Sequence, residues 1–242
     1  MAKMVGLSRS LKMPWLNKAA ELALEDLTEA EVKEQLNEYL SYEIQSPTVL
    51  RKTREILMNI WIRQGEYPER ILFDAKKLYR SYADYELEIH WCLIMTAYPI
   101  FVDVCKLIGK MSRFQEEITL AQIKQKLFDE WGERDTLYHS MDKIIATMKA
   151  LGVIEGNKGR YKIKKYQVKN QKVVMFMLYT LMCIDSSGYY TMLELTSSPL
   201  FFPFEYTLDK MDMMEDDRFI FSNFGGETTV GIKEKGVGRF QV

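Results

Sequence analysis

Between Ile118 and Tyr166 the sequence reads helix, turn, helix, hairpin, and no other stretch restricts the fold as tightly. Thr119 and Gln122 have capping-box spacing: the threonine hydroxyl accepts from the third helical amide, and the glutamine side chain returns to the cap amide. Ile118 and Ile123 stand at the matching staple positions. Leu120, Ile123, Leu127 and Trp131 then give a short helix one apolar stripe. Beyond Gly132, the residues Leu137, Met141, Ile144, Ile145, Met148 and Leu151 recur at helical spacing and predict a longer amphipathic helix. Gly152 stops it. Val153 and Ile154 lead through Gly156-Asn157-Lys158-Gly159 into the alternating Tyr161-Lys162-Ile163-Lys164, a strand after a turn. This is the element order of a winged-helix domain.

The sequence before it, to about Met111, reads as helix. Thr28 and Glu31 form another capping box, with Leu27 and Val32 as its staple, and Val32, Leu36 and Leu40 on one face. Ser46-Pro47 reads as a hydroxyl cap followed by proline at the first helical position, opening a helix to about Arg63 that ends at Gly65. A further helix starts near Pro68, and Pro99 bends or breaks the apolar stretch that follows.

After residue 170 the same signals return. Val173 to Ile184 predicts a buried helix, Thr191 and Glu194 a capping box, Tyr190 and Leu195 its staple, and Tyr206 to Met214 another helix. Arg218 to Phe224 and Thr228 to Ile232 alternate around Gly225-Gly226 as a hairpin. Aligning Thr119 with Thr191 brings cap, staple and hairpin of both segments into one register, which points to an internal duplication. The plainer alternative is that capping boxes and hairpins are common. The expected architecture is mainly α: a helical domain over residues 1–111, a basic winged-helix-like domain over 112–170, and an acidic helix-plus-hairpin unit over 171–242.

Chemistry is sparse. Cys92, Cys105 and Cys183 are scattered and odd in number, against a disulfide scaffold. The longest charge-free runs are Ile89 to Val102 and Val173 to Ile184, each well short of the roughly 20 residues a membrane span needs. No charged stretch followed by an apolar run opens the chain, so a cytoplasmic address is expected. No phosphate-binding glycine motif is present. His90 beside Cys92 is two ligand types without a completing set, and a satisfied core histidine is the better reading. Ser197 and Ser198 read as turn formers before Pro199, and Glu215-Asp216-Asp217 as a solvated helix end. No enzyme, cofactor or metal is expected.

Charge is informative once divided along the chain. The 242 residues carry a formal net charge of −1. Residues 112–170 hold twelve Lys and Arg against eight Asp and Glu, a surplus of four positive charges, whereas residues 171–242 hold six against ten. Within the positive segment, Lys158, Arg160, Lys162, Lys164 and Lys165 cluster on the hairpin. Strand alternation puts Arg160, Lys162 and Lys164 on one face, with Tyr161 and Ile163 on the other. A basic wing beside an amphipathic helix suits duplex DNA, the helix entering the major groove and the wing tracking phosphate. The outer face of the helix from about Arg134 to Leu151 would present Thr136, His139, Lys143, Ala146 and Ala150, whereas Asp135 and Asp142 would repel phosphate. Arg51, Lys52 and Arg54, near the start of the Ser46-Pro47 helix, form a second basic patch.

Several features in order carry a family resemblance: Ser46-Pro47-Thr48 followed by Arg51 and Arg54, the Trp131-Gly132 junction, Leu151-Gly152-Val153-Ile154, and Leu200-Phe201-Phe202-Pro203-Phe204. In these the chain resembles the BrxA family, small accessory proteins of bacterial BREX phage-defence systems. The resemblance implies a non-enzymatic helical protein with winged-helix character that binds DNA and supports a defence complex. Members have also been compared with a helical RNA-binding antitermination factor, which leaves the choice of nucleic acid open. Expected partners are therefore duplex DNA or RNA at the basic segment, and protein at the acidic C-terminal unit. A scaffold subunit that binds no nucleic acid fits the same sequence.

Overall fold

Local signals in the first segment build six helices: α1 (Met13–Ala23), α2 (Glu29–Ser41), α3 (Pro47–Trp61), α4 (Glu69–Ser81), α5 (Glu86–Ala97) and α6 (Pro99–Met111). They belong to a computed structural model that describes residues 6–63, 65–132, 135–185, 187–224 and 226–233. Thr28 forms both halves of the capping box that starts α2, and Val32, Leu36 and Leu40 are its buried face. Ser46 makes no side-chain cap bond, so Pro47, with φ already helical, fixes the start of α3 alone. Tyr98 is extended and Pro99 follows it as the first residue of α6, which turns α6 by 119° from α5. Among the described residues no single helix is long and apolar enough to cross a membrane.

Residues Leu87 to Met95 of α5 are all buried, including Glu88 and His90. His90 is a satisfied core histidine. Trp61 Nε1–H donates to its Nδ1 at 3.0 Å, so the ring proton sits on Nε2 and is donated to Asn17 Oδ1 at 2.7 Å. Among the described residues no group of three His, Cys, Asp or Glu is placed to hold a metal ion.

The second segment adds β1 (Glu117–Thr119), α7 (Leu120–Trp131), α8 (Asp135–Ala150), β2 (Ile154–Asn157) and β3 (Arg160–Ile163). The three strands form an antiparallel sheet in the order β1-β3-β2. With α6 packed on α7, the order is helix, strand, helix, helix, strand, strand: a winged-helix arrangement. Leu137, Met141, Ile144, Ile145, Met148 and Leu151 are all buried, the stripe read from the sequence. The hairpin turns through Lys158 (φ 51°) and Gly159 (φ 77°), two left-handed residues in succession, which is the geometry a two-residue hairpin loop requires.

The third segment comprises β4 (Tyr166–Val168), α9 (Gln171–Ile184), β5 (Tyr190–Thr191), α10 (Met192–Thr196), β6 (Phe204–Tyr206), α11 (Lys210–Glu215), β7 (Phe219–Phe224) and β8 (Glu227–Ile232). β4 and β6 pair in parallel; β5, β8 and β7 form an antiparallel sheet in that order. The helix expected from Tyr206 is shorter. Tyr206 closes β6, and the Asp209 carboxylate caps α11 by accepting from the Met211 and Asp212 amides. Gly225 of the expected Gly225-Gly226 turn lies outside the described residues; Gly226 is left-handed at φ 87°.

The acidic run at Glu215-Asp216-Asp217 is not simply solvated, as the sequence suggested. Arg218, 8% exposed, donates to Asp74 Oδ2 of α4 at 3.0 Å and to Asp216 Oδ2 at 2.6 Å, while Arg70 grips Asp217. These pairs tie the third segment to α4. A second tie lies at Gly109 of α6, where a Cβ would stand 2.1 Å from the Pro199 carbonyl oxygen. Only a residue without a side chain lets these backbones approach so closely. Buried residues from all three segments make one continuous core.

Candidate nucleic-acid interface

The wing and α8 are held together from beneath. The inner face of the sheet sends Ile118, Ile154, Tyr161 and Ile163 toward Ile108 of α6, Ile123 of α7 and Ile145 of α8. Thr119 caps α7 with its hydroxyl, accepting from Gln122 N–H at 3.2 Å, and Gln122 Oε1 accepts from Thr119 N–H at 3.0 Å. Because Thr119 also pairs with Arg160 in the sheet, one residue sets both the start of α7 and the position of the wing.

Lys124 fixes α8 against α7. Its ammonium lies 3.3 Å above the Tyr138 ring and 2.8 Å from Asp142 Oδ1, with its side chain 10% exposed. A cation so desolvated over an aromatic face contributes about 2 kcal/mol. The same contact neutralises Asp142, one of the two carboxylates that would oppose phosphate near α8. Sequence reading missed Lys124, although it stands four residues after Leu120 and four before Phe128, on the apolar stripe.

The candidate residues separate into three groups. Lys158, Arg160, Lys162, Lys164 and His139 are exposed. Arg160 and Lys162 share the outer face of β3, whereas Lys164 stands just past the strand, its amide bonded to Val153 O and its ammonium 5.3 Å from the Tyr166 ring. Lys143 and Ala146 are half-buried, because the segment before α1 lies against this part of α8. The Leu11 N–H donates to Thr147 Oγ1 at 3.0 Å, and that hydroxyl donates to Lys143 O at 2.8 Å. The open part of the α8 face is therefore at its N-terminal turns, around His139, with Ala150 exposed at the far end. Arg134 lies outside the described residues.

Two candidates are already engaged. The Lys165 ammonium, on an exposed residue, donates to Phe202 O at 2.8 Å beside the β4–β6 pair. Arg54 donates to Glu55 Oε1 at 2.6 Å and to Asn37 Oδ1 at 3.0 Å, crossing from α3 to α2. Arg51 and Lys52 are exposed and line a groove of about 840 Å³ with Gly6, Ser8 and Tyr98.

Sheet pairing also brings acids that strand-by-strand reading could not place. Glu117 of β1 and Glu155 of β2 flank Lys162 in register. Glu117 lies 3.8 Å from Lys162 Nζ and 3.9 Å from Arg160 Nη1, with all three side chains open to solvent. Such pairs are weak, typically below 1 kcal/mol. The outer face of the sheet thus alternates in charge, and the cationic surplus of the wing sits at its ends, on Lys158 and Lys164.

No family model matches the chain, and no curated protein matches it. In three dimensions it is similar to a solved structure described as an uncharacterized protein from Magnetospirillum magneticum, at 18% identity and a TM-score of 0.51, over 77% of this chain and 100% of that one. At that identity the likeness speaks for the fold alone.

Proposed function

We propose that the protein is a non-enzymatic, duplex-DNA-binding accessory protein, of the kind that the resemblance to the BrxA family of phage-defence proteins implies. One arrangement carries the reading: exposed cations at Lys158, Arg160, Lys162 and Lys164 surround a two-residue wing whose strands pack on α8 at Ile145 and Lys149, the same helix that leaves His139 open near its start. In a winged helix of this order the first turns of the second helix of the pair meet base edges, and the wing runs along phosphate. His139 is the side chain offered to bases, and the wing cations are offered to the backbone. Neutralisation of Asp142 by Lys124 removes a repulsive charge from the approach.

The test is binding of the purified protein to one sequence as duplex DNA, single-stranded DNA and RNA, each over a range of salt. The proposal expects duplex DNA to bind best and its affinity to fall as salt rises, because each phosphate contact releases a condensed counterion. Preference for single strands or folded RNA assigns the surface to RNA instead. Absence of salt-sensitive binding to all three leaves a protein scaffold.

A further inference from the structure

The third segment repeats the cap and the hairpin register of the second around shorter helices, so positions around each cap and hairpin can be matched. Thr119 and Thr191 each form a full capping box, and the residues just before them, Ile118 and Tyr190, are buried and pair with Tyr161 and Val230. Ile154 pairs with Ile163 as Phe219 pairs with Ile232. One residue outside each of those pairs, the same backbone bond recurs: Lys164 N–H to Val153 O at 2.9 Å, and Lys233 N–H to Arg218 O at 2.8 Å. Six residues before the edge strand of each sheet, Met148 of α8 and Met213 of α11 are both fully buried. The helices therefore approach their sheets in the same phase, although α11 has 6 residues and α8 has 16.

With the register fixed, the surfaces differ in kind. Arg160 and Lys162 of the first sheet correspond to Thr229 and Gly231 of the second, so the phosphate-facing cations are gone. Ala146, Thr147, Lys149 and Ala150 of α8 correspond to Met211, Asp212, Met214 and Glu215 of α11. Met211 is 64% exposed and Met214 54%. Asp212 and Glu215 are exposed, and their carboxylates have no partner among the described residues. On α8 only Lys149 and Ala150 of these four are exposed, Thr147 being covered by the segment before α1; on α11 all four are exposed, flexible apolar side chains among free carboxylates. Such a face repels DNA. It also leaves solvent-exposed methionines unexplained by packing, in a segment with a surplus of four negative charges.

We propose that the outer face of α11 is a docking site for a basic amphipathic helix of a partner protein, with Met211 and Met214 receiving its apolar side chains and Asp212 and Glu215 its lysines or arginines. Methionine suits this role because its unbranched, polarisable side chain repacks around different shapes, and an amphipathic helix laid on an apolar face is a recurrent recognition mode. Charge complementarity selects a basic helix over an acidic or neutral one. The inference deepens the expectation that the acidic unit contacts protein, and it does not depend on DNA binding by the wing.

The test uses the full chain and three labelled 16-residue peptides: an amphipathic Leu/Lys helix, a Leu/Glu helix of the same pattern, and a Lys/Ser peptide matching the first in charge. Fluorescence anisotropy should show the Leu/Lys peptide binding at least tenfold tighter than either control. Met211→Ser with Met214→Ser should weaken it at least tenfold, and Asp212→Asn with Glu215→Gln should weaken it and flatten its salt dependence. Replacing Arg160, Lys162 and Lys164 with alanine should leave peptide binding unchanged, so a failure of the DNA reading is visible separately. Equal binding by the Lys/Ser peptide, or full binding by the methionine variant, overturns the proposal. So does sedimentation showing a parent dimer that the methionine variant dissolves, which would assign the face to a second copy of the chain.

Discussion

Two buried ionisable groups on α5 have opposite effects on stability as pH falls, and removing one should uncover the other. Burial lowers the His90 pKa to about 3, whereas its unfolded value is 6.5. The unfolded chain therefore takes up this proton first, and stability present above pH 6.5 is lost as pH falls toward 3. Burial raises the Glu88 pKa from 4.5 to about 7. The folded chain takes up that proton first, so this contribution is fully present below pH 4.5 and is lost as pH rises through 7. Between pH 6.5 and 4.5 each changes stability by up to about 1.4 kcal/mol per pH unit, with opposite sign. In the parent this pair should change stability by no more than about 1 kcal/mol across the window, and the exposed carboxylates add the same small loss to parent and variant near pH 4.5. Glu88→Gln keeps the shape and removes the compensating proton, so the variant should lose about 2–3 kcal/mol from pH 6.5 to 4.5. Urea unfolding at half-unit pH steps reads this directly. A variant whose stability stays as flat as the parent's would refute the account of a neutral, doubly hydrogen-bonded His90.

Other predictions are simpler. Thr119→Ala should cost about 1 kcal/mol by removing a two-sided cap, whereas Ser46→Ala should stay within about 0.5 kcal/mol because Ser46 makes no cap bond; equal losses in denaturant unfolding would contradict this. Gly109→Ala forces a methyl against the Pro199 carbonyl and should cost about 1–3 kcal/mol, visible as a lower thermal midpoint; an unchanged midpoint would mean that the third segment is not seated there. Glu117→Gln removes the carboxylate between Arg160 and Lys162, and duplex affinity at low salt should rise about fivefold, on the order of 1 kcal/mol. Unchanged or weaker binding would place the phosphates elsewhere.

What could be read from the sequence was local. The capping boxes at Thr28, Thr119 and Thr191, the buried stripe of α8 and the hairpins all depend on residues within a few positions of one another, and the structure places them where the spacing puts them. β1, β4, β5 and β6 carry no such signal, since strands of two or three residues exist only through partners far along the chain. The same distance effect altered the candidate interface. Glu117 meets the wing across 43 and 45 residues of sequence, Lys165 reaches Phe202, and Arg54 turns to Asn37. Alternation along β3 correctly exposed Arg160 and Lys162, but which charges face them is a property of sheet register.

Whether the wing cations meet phosphate is measured most directly by the salt dependence of duplex binding. Arg160, Lys162 and Lys164 would contribute roughly 0.9 each to the slope of log affinity against log salt. The parent should therefore show a steep fall, and the variant with all three as alanine a slope flatter by up to about 2.7, with weaker binding across unrelated sequences. His139→Ala should instead change the preference among sequences and leave the slope nearly intact. A triple variant that binds duplex DNA with the parent's affinity and the parent's slope would contradict the account.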